Sequence, residues 1–321
     1  SHTPSPMMPN TPNDDDSDTT TTVISLSTVF HPGAHEIEPD TIFISSDMVL
    51  FYVHSQVLKA HSPHAFRRVF EAHQDTDKGT PKGFKSGPME SSVQDGLIRI
   101  PDTSSVLNVI LHTLYGTSSA QHSPSFETLT IAVYRMPFYD LNPKACIVPR
   151  TPLYDVLLTH APLFPIQLYT LAGHHDLQEL AVATSSHLLS YPLSNLPEEM
   201  AERMGALYLK RLLCLHLDRF NALKHILLSP PHPHPVTREC NFTDQKKLTR
   251  AWALVAAYLA WDARPDLSTH SMRSAFQPLT ENLSCELCNE GLQKRIKDVI
   301  VQWASVKVGL AYVLLMLLAL R

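Results

Sequence analysis

Four prolines within the seven residues Ser229–Pro235 constrain this chain more than any other feature. Proline fixes φ and carries no N–H, so the run Ser-Pro-Pro-His-Pro-His-Pro cannot be a helix interior and favours extended polyproline geometry. It is one of three breaks. Ser1 to Thr22 is rich in Pro, Asp and Thr, with runs at Asp14–Asp16 and Thr19–Thr22. Such a stretch cannot offset its ordering entropy by burial, and disorder is expected there. A second polar stretch, from about Glu71 to Gly96, holds four of the ten glycines and reads as a long exposed loop.

The pattern between the breaks changes along the chain. Thr41–Ser45 and Met48–His54 are β-rich runs on either side of Ser46-Asp47, which predicts a hairpin. Val23–Phe30 alternates apolar and polar residues and reads as a further strand. Ser62-Pro63 has the form of an N-cap followed by Pro at the first helical position. Phe66, Val69 and Phe70 then follow on one helical face. Leu97–Ile100 is a short strand, and Val106, Ile110 and Leu114 mark a helix closed by Gly116.

From about Tyr154 the periodicity is helical. Leu168, Leu171 and Ala172 lead into Leu177, Leu180 and Ala181, and Pro197 opens a helix with Glu198 and Glu199 in its first turn. Thr243 is the expected cap of a helix carrying Leu248, Trp252, Val255 and Leu259. A last helix carries Leu292, Ile296, Val299, Ile300 and Trp303. Strands in front and helices behind predict an α+β N-terminal domain with a small sheet, followed by an all-α C-terminal region. The expected division is a tail at 1–22, a first domain at 23–190 with its loop at about 71–96, and a helical domain at 191–321.

Several residues in the first domain fall on a known pattern. Asp40 precedes an apolar strand, a second strand ends at His54, and Leu58, Ala60, Ser62 and Phe66 follow at fixed spacing. Ile98-Arg-Ile100-Pro-Asp102, Val109–Tyr115 and Leu168–Ala181 continue the pattern in order. Together these pieces, spanning about Asp40 to Leu189, resemble a BTB/POZ domain. The whole chain, through the run Lys246–Asp262, is similar to the fungal BTB proteins with a helical C-terminal region. The resemblance implies a module that self-associates as a homodimer, and in several members recruits a cullin-type ubiquitin-ligase scaffold. One departure stands out. Many members have Lys or Arg after the strand-ending His, where this chain has Ser55, so the charged pocket formed with the first-strand Asp is not expected here.

The remaining chemistry is sparse. A formal net charge of -5 lacks the basic footprint that phosphate binding needs, so no nucleic-acid partner is expected. Glycine-rich phosphate loops, nucleophile elbows and paired-histidine zinc helices are absent from the sequence. The five cysteines are Cys146, Cys214, Cys240, Cys285 and Cys288, an odd number at mostly long spacings. That fits a reducing compartment, cytoplasm or nucleus.

Cys285-Glu-Leu-Cys288 is the one constellation with metal-ligand spacing, because thiols at i and i+3 leave one helical turn together. Cys240 is the candidate third ligand of a structural zinc, with His232 or His234 as the fourth. The competing reading makes Cys285 and Cys288 small buried hydrophobes beside Leu283 and Leu287. Val308–Leu320 is thirteen residues of apolar and small side chains. A bilayer crossing takes about 20, so a buried or partner-covered helix is expected, the alternative being a membrane anchor cut short by the end of the sequence. The function expected is that of a non-enzymatic protein-protein interaction adaptor. The alternatives are a transcriptional regulator and a zinc-dependent enzyme.

Overall fold

The computed structural model describes residues 23–77, 97–281 and 283–306. The tail at 1–22, most of the 71–96 stretch and the apolar run from Val308 lie outside the described residues. The described residues form two compact units, 23–55 with 73–77 and 97–104, and 56–72 with 105–281 and 283–306.

The first unit is built on a four-stranded sheet of β1 (Ser25–Leu26), β2 (Thr41–Ile44), β3 (Val49–Val53) and β4 (Leu97–Arg99), in the order β1-β3-β2-β4. The expected hairpin is β2 and β3, antiparallel with Thr41 opposite Val53 and Phe43 opposite Phe51. Those four side chains are buried on one face, as period-two alternation requires. β4 runs parallel to β2 on one edge, and β1 runs parallel to β3 on the other. The N-terminal strand therefore joins the sheet of its own chain, and it is shorter than the alternation of Val23–Phe30 suggested. Past Leu26 the chain turns inward, where the Ser27 hydroxyl accepts from the Phe30 amide and Phe30 is buried 6.1 Å from the Phe51 ring.

The second unit is helical. Its elements are α1 (Ser55–His61), α2 (Arg67–Asp77), α3 (Ser104–Leu114), α4 (Phe126–Arg135), α5 (Pro143–Cys146), α6 (Pro152–Thr159), α7 (Pro165–His174), α8 (Gln178–Thr184), α9 (Glu198–Leu227), α10 (Phe242–Trp261), α11 (Thr269–Glu281) and α12 (Glu286–Ser305). The first residue or the last few residues of α1, α2 and α3 belong to the first unit. α3 stops where expected, with Gly116 in the left-handed region (φ 64) just past its end.

Three boundaries differ from expectation. α2 begins at Arg67 rather than Pro63, because Phe66 takes a left-handed turn (φ 59) that places its ring, fully buried, 4.5 Å from that of Tyr139. Burial of an aromatic outweighs a local start signal worth about 1 kcal/mol. At its other end α2 continues through Glu71–Asp77, the beginning of the stretch expected to be loop. The cap of α10 is Asn241 rather than Thr243. Its side-chain oxygen accepts from the amides of Thr243 and Asp244, while Asp244 reaches back to the Asn241 amide, a full capping box.

α9 ties the helical unit together. Its N-terminal half packs on α7 through Met204 and Tyr208, and its C-terminal half supplies Leu223, Ile226 and Leu227 to a bundle with α10, α11 and α12. The helix is interrupted at Gly205, whose φ of 78 is open to glycine at little cost. In the bundle core Trp252 stacks on Phe276 at 4.2 Å, and Leu292, Val299 and Trp303 close around them.

The α7–α9 approach depends on Gly173. A Cβ there would lie 2.8 Å from the Met204 carbonyl oxygen and 3.1 Å from the Tyr208 ring. Because the obstacle is backbone, it cannot swing aside. Gly173→Ala is expected to destabilise the protein by about 1–3 kcal/mol, the usual cost of overpacking. A urea unfolding midpoint unchanged from wild type would show that α7 and α9 can separate without penalty.

Candidate metal centre

The Pro-rich run leaves α9 at Leu227 and passes without helix to Cys240. Lacking amide protons at four positions, it cannot satisfy itself, and side chains from two other helices hold it. Arg295 of α12 donates to the carbonyls of Ile226 and Ser229 at 2.6 and 2.8 Å, and the Trp252 indole of α10 donates to Leu227 at 3.1 Å. These bonds satisfy the open carbonyl end of α9. Further along, the Gln245 side-chain amide donates to the His234 carbonyl at 3.0 Å.

The run thereby carries His234 to the start of α12. His234 Nε2 lies 3.3 Å from Cys288 Sγ and 3.4 Å from Cys285 Sγ, and Cys288 Sγ lies 3.7 Å from Cys240 Sγ. All four donor atoms fall within 4.8 Å of one another. For tetrahedral zinc, with Zn–S about 2.3 Å and Zn–N about 2.0–2.1 Å, neighbouring sulfurs stand about 3.75 Å apart and sulfur stands about 3.5 Å from nitrogen. The observed distances are close to those edges, so the cluster could hold a metal ion such as zinc.

Each donor has a local reason for its position. Cys285 is the N-cap of α12, and Cys288 sits one turn in, so the i, i+3 spacing aims both thiols at one point. Cys240 immediately precedes the Asn241 cap of α10, and a tight turn fixes it, the Thr237 amide donating to its carbonyl and its own amide to the Thr237 hydroxyl. In His234, Nδ1 lies 2.7 Å from the Pro235 carbonyl. A carbonyl only accepts, so Nδ1 carries the proton and Nε2 presents a lone pair to the thiols.

The thiols are not equivalent. The Cys288 backbone N–H beside Cys285 holds that thiol below its usual range. Burial pushes Cys288 up to about 12, with Cys240 and Cys285 adding to the effect. Cys240 and Cys288 are buried and Cys285 is half-buried.

Of the sequence candidates, Cys240, Cys285, Cys288 and His234 come together, whereas His232 is exposed and outside the cluster. Cys146 and Cys214 are likewise outside it. Gln245 was not anticipated. Its only sequence signal is its place one turn beyond Cys240.

The residues of the BTB-like pattern lie elsewhere. Leu58 and Phe66 are fully buried, Ala60 is exposed, and Ser62 is half-buried with its hydroxyl facing the His64 amide. His54 is buried at the end of β3 and donates from Nε2 to the Ile37 carbonyl at 2.8 Å, a packing role. Asp40 and Ser55 do meet. The Asp40 carboxylate accepts from the Ser55 amide at 2.7 Å and the Ser55 hydroxyl at 2.6 Å, which caps α1. Burial would raise the Asp40 carboxyl, and the Ser55 hydrogen bonds outweigh it and hold it low. Ser55 thus gives Asp40 a neutral structural partner. Asp47 repeats the device at the start of α3, accepting from the Ser104 amide and hydroxyl at 2.7 and 2.6 Å.

No family model matches this chain, and no curated protein or solved structure matches it. Among the described residues no helix is long and apolar enough to cross a membrane.

The exposure and the lowered thiol of Cys285 set a labelling order. In chelator-treated native protein, Cys285 and the half-buried Cys214 are expected to react with iodoacetamide before Cys146, Cys240 and Cys288. Time-resolved mass spectrometry of the five peptides would read the order, and early labelling of Cys240 or Cys288 would contradict it.

Proposed function

We propose that this protein is a non-enzymatic protein-interaction adaptor whose helical half is clamped by a structural zinc ion on His234, Cys240, Cys285 and Cys288. The observation that carries this reading is the closed donor set. Three thiols and one imidazole fill four tetrahedral positions and leave none for substrate or activated water, the arrangement of structural rather than catalytic zinc. The ligands come from the Pro-rich run, the turn before α10 and the first turn of α12, so the ion would join three segments at one point. That argues against the zinc-dependent enzyme. The transcriptional regulator is disfavoured by the acidic net charge and by the lack of a basic DNA-reading helix in the sequence.

The adaptor reading is supported from two sides. Along α10, Leu254, Tyr258 and Trp261 are 74%, 62% and 93% exposed. A row of large apolar groups in water on one helix suits a protein partner better than solvent. In the first unit, the BTB/POZ resemblance implies self-association and a cullin-type scaffold as partner.

The zinc reading predicts one zinc per chain by elemental analysis of protein purified without chelator. Cys240→Ser or Cys288→Ser should abolish retention, and chelation should lower the unfolding temperature of wild type but not of these variants. Full-length wild type that carries no zinc and takes none up would overturn it. For self-association, light scattering at tens of micromolar, on the order of ordinary transient affinities, should report a dimer. Deleting residues 1–26 should weaken the dimer while sparing the buried Ser27 and Phe30. A chain that stays monomeric under these conditions would exclude the homodimer.

A further inference from the structure

We infer that Gln245 is the positioning residue of the metal centre: it sets His234 in place, and with it the fourth ligand. This rests on the zinc reading above.

His234 stands between Pro233 and Pro235, so neither neighbour has an amide proton with which to anchor the segment. The following proline restricts His234 to extended backbone but does not fix where that backbone lies. Two hydrogen bonds do. The ring Nδ1–H donates to the Pro235 carbonyl, which orients the imidazole relative to its own main chain. The main-chain carbonyl of His234 accepts from Gln245 Nε2 at 3.0 Å, which fixes that main chain relative to α10.

Gln245 belongs to the helix whose cap follows Cys240, with its own amide donating to the Asn241 carbonyl. One helix start thus controls two ligands, Cys240 through the chain and His234 through the Gln245 side chain. The orientation of the amide group is determined, since only its nitrogen can donate to a carbonyl. Gln245 is 6% exposed, and its Oε1 is buried with no hydrogen-bond partner among the described residues. An apolar side chain of the same length would fill the space without that unmet acceptor. The polar residue has a use there, and the bond to His234 supplies it. Outer-layer groups of this kind commonly change metal affinity by 10–100-fold.

The test compares wild type, Gln245→Met, Gln245→Glu and His234→Ala in the full-length chain. Zn²⁺ affinity is measured by competition with a chromogenic chelator, Co²⁺ absorption reports the ligand set, and the zinc-free unfolding midpoint serves as the control. Gln245→Met keeps length and apolar volume, and Gln245→Glu, assayed at a pH where its carboxyl is ionised, keeps shape but removes the donor. Both are expected to weaken Zn²⁺ binding by roughly 10–100-fold. Both should shift the Co²⁺ spectrum toward that of His234→Ala, in which the imidazole is lost and three thiolates remain. A purely structural Gln245 would lower the zinc-free midpoint and leave affinity and spectrum unmoved, which overturns the inference while the zinc site stands. Should Gln245→Met fail to fold, Gln245→Glu with wild-type affinity and spectrum would overturn it equally. Wild type that binds neither ion, or His234→Ala that binds both as wild type does, would refute the four-ligand site itself.

Discussion

A proline-rich segment has few amide protons to give, so it cannot build a ladder with itself or a neighbour, and the carbonyls around it must be satisfied from outside. In this protein that constraint organises the C-terminal half. Arg295 and Trp252 serve the carbonyls at the end of α9, and Gln245 serves His234. The donors come from α10 and α12, so the segment is held in the angle between two helices that the sequence separates by many residues. A linker that would otherwise sample many extended conformers is thereby brought to one place, with a histidine ring at its end.

The cluster of three thiols and an imidazole follows from that placement. These thiols are free, and their separation is close to the spacing of a tetrahedral metal site. Without an ion, the contacts between them are weak, since sulfur is a poor donor and a poor acceptor. With an ion, the same atoms would crosslink the Pro-rich run, α10 and α12 at one point. The bundle core of Trp252, Phe276, Leu292 and Trp303 is continuous with Cys240 and Cys288, so the cluster lies at the edge of that core.

The two Asp–Ser pairs of the first unit show a similar economy on a smaller scale. Asp40 and Asp47 each receive an amide and a hydroxyl from a serine at the start of a helix. Carboxylates at helix N-termini complete open amides and suit the dipole there. At Asp40 the hydrogen bonds from Ser55 hold the carboxyl below its usual range against the effect of burial. Along the edge of β3, by contrast, β1 pairs over two residues only, because the chain turns inward to bury Phe30, and the Tyr52 amide donates to the Phe30 carbonyl instead.

What the sequence by itself determined is what depends on neighbours along the chain. Short β-rich runs located β2, β3 and β4, and alternation placed β1 but overstated its length. Helical spacing located α7, α8, α10 and α12 and many of their buried residues, though it missed Ile166, Tyr169 and Thr170 of α7, and the i, i+3 cysteines marked one half of the cluster. Where local signals compete with burial, the sequence was a poorer guide. Ser62-Pro63 has every feature of a helix start, yet the helix waits for Phe66 to enter the core, and Thr243 gives way to Asn241 because only the latter reaches two amides. Tertiary structure alone decided the rest. His232 and His234 are chemically identical and both flanked by proline, and nothing in their spacing says which one meets the thiols. The choice is made by where Arg295, Trp252 and Gln245 stop the segment, and those side chains reach it only after α9, α10 and α12 have packed.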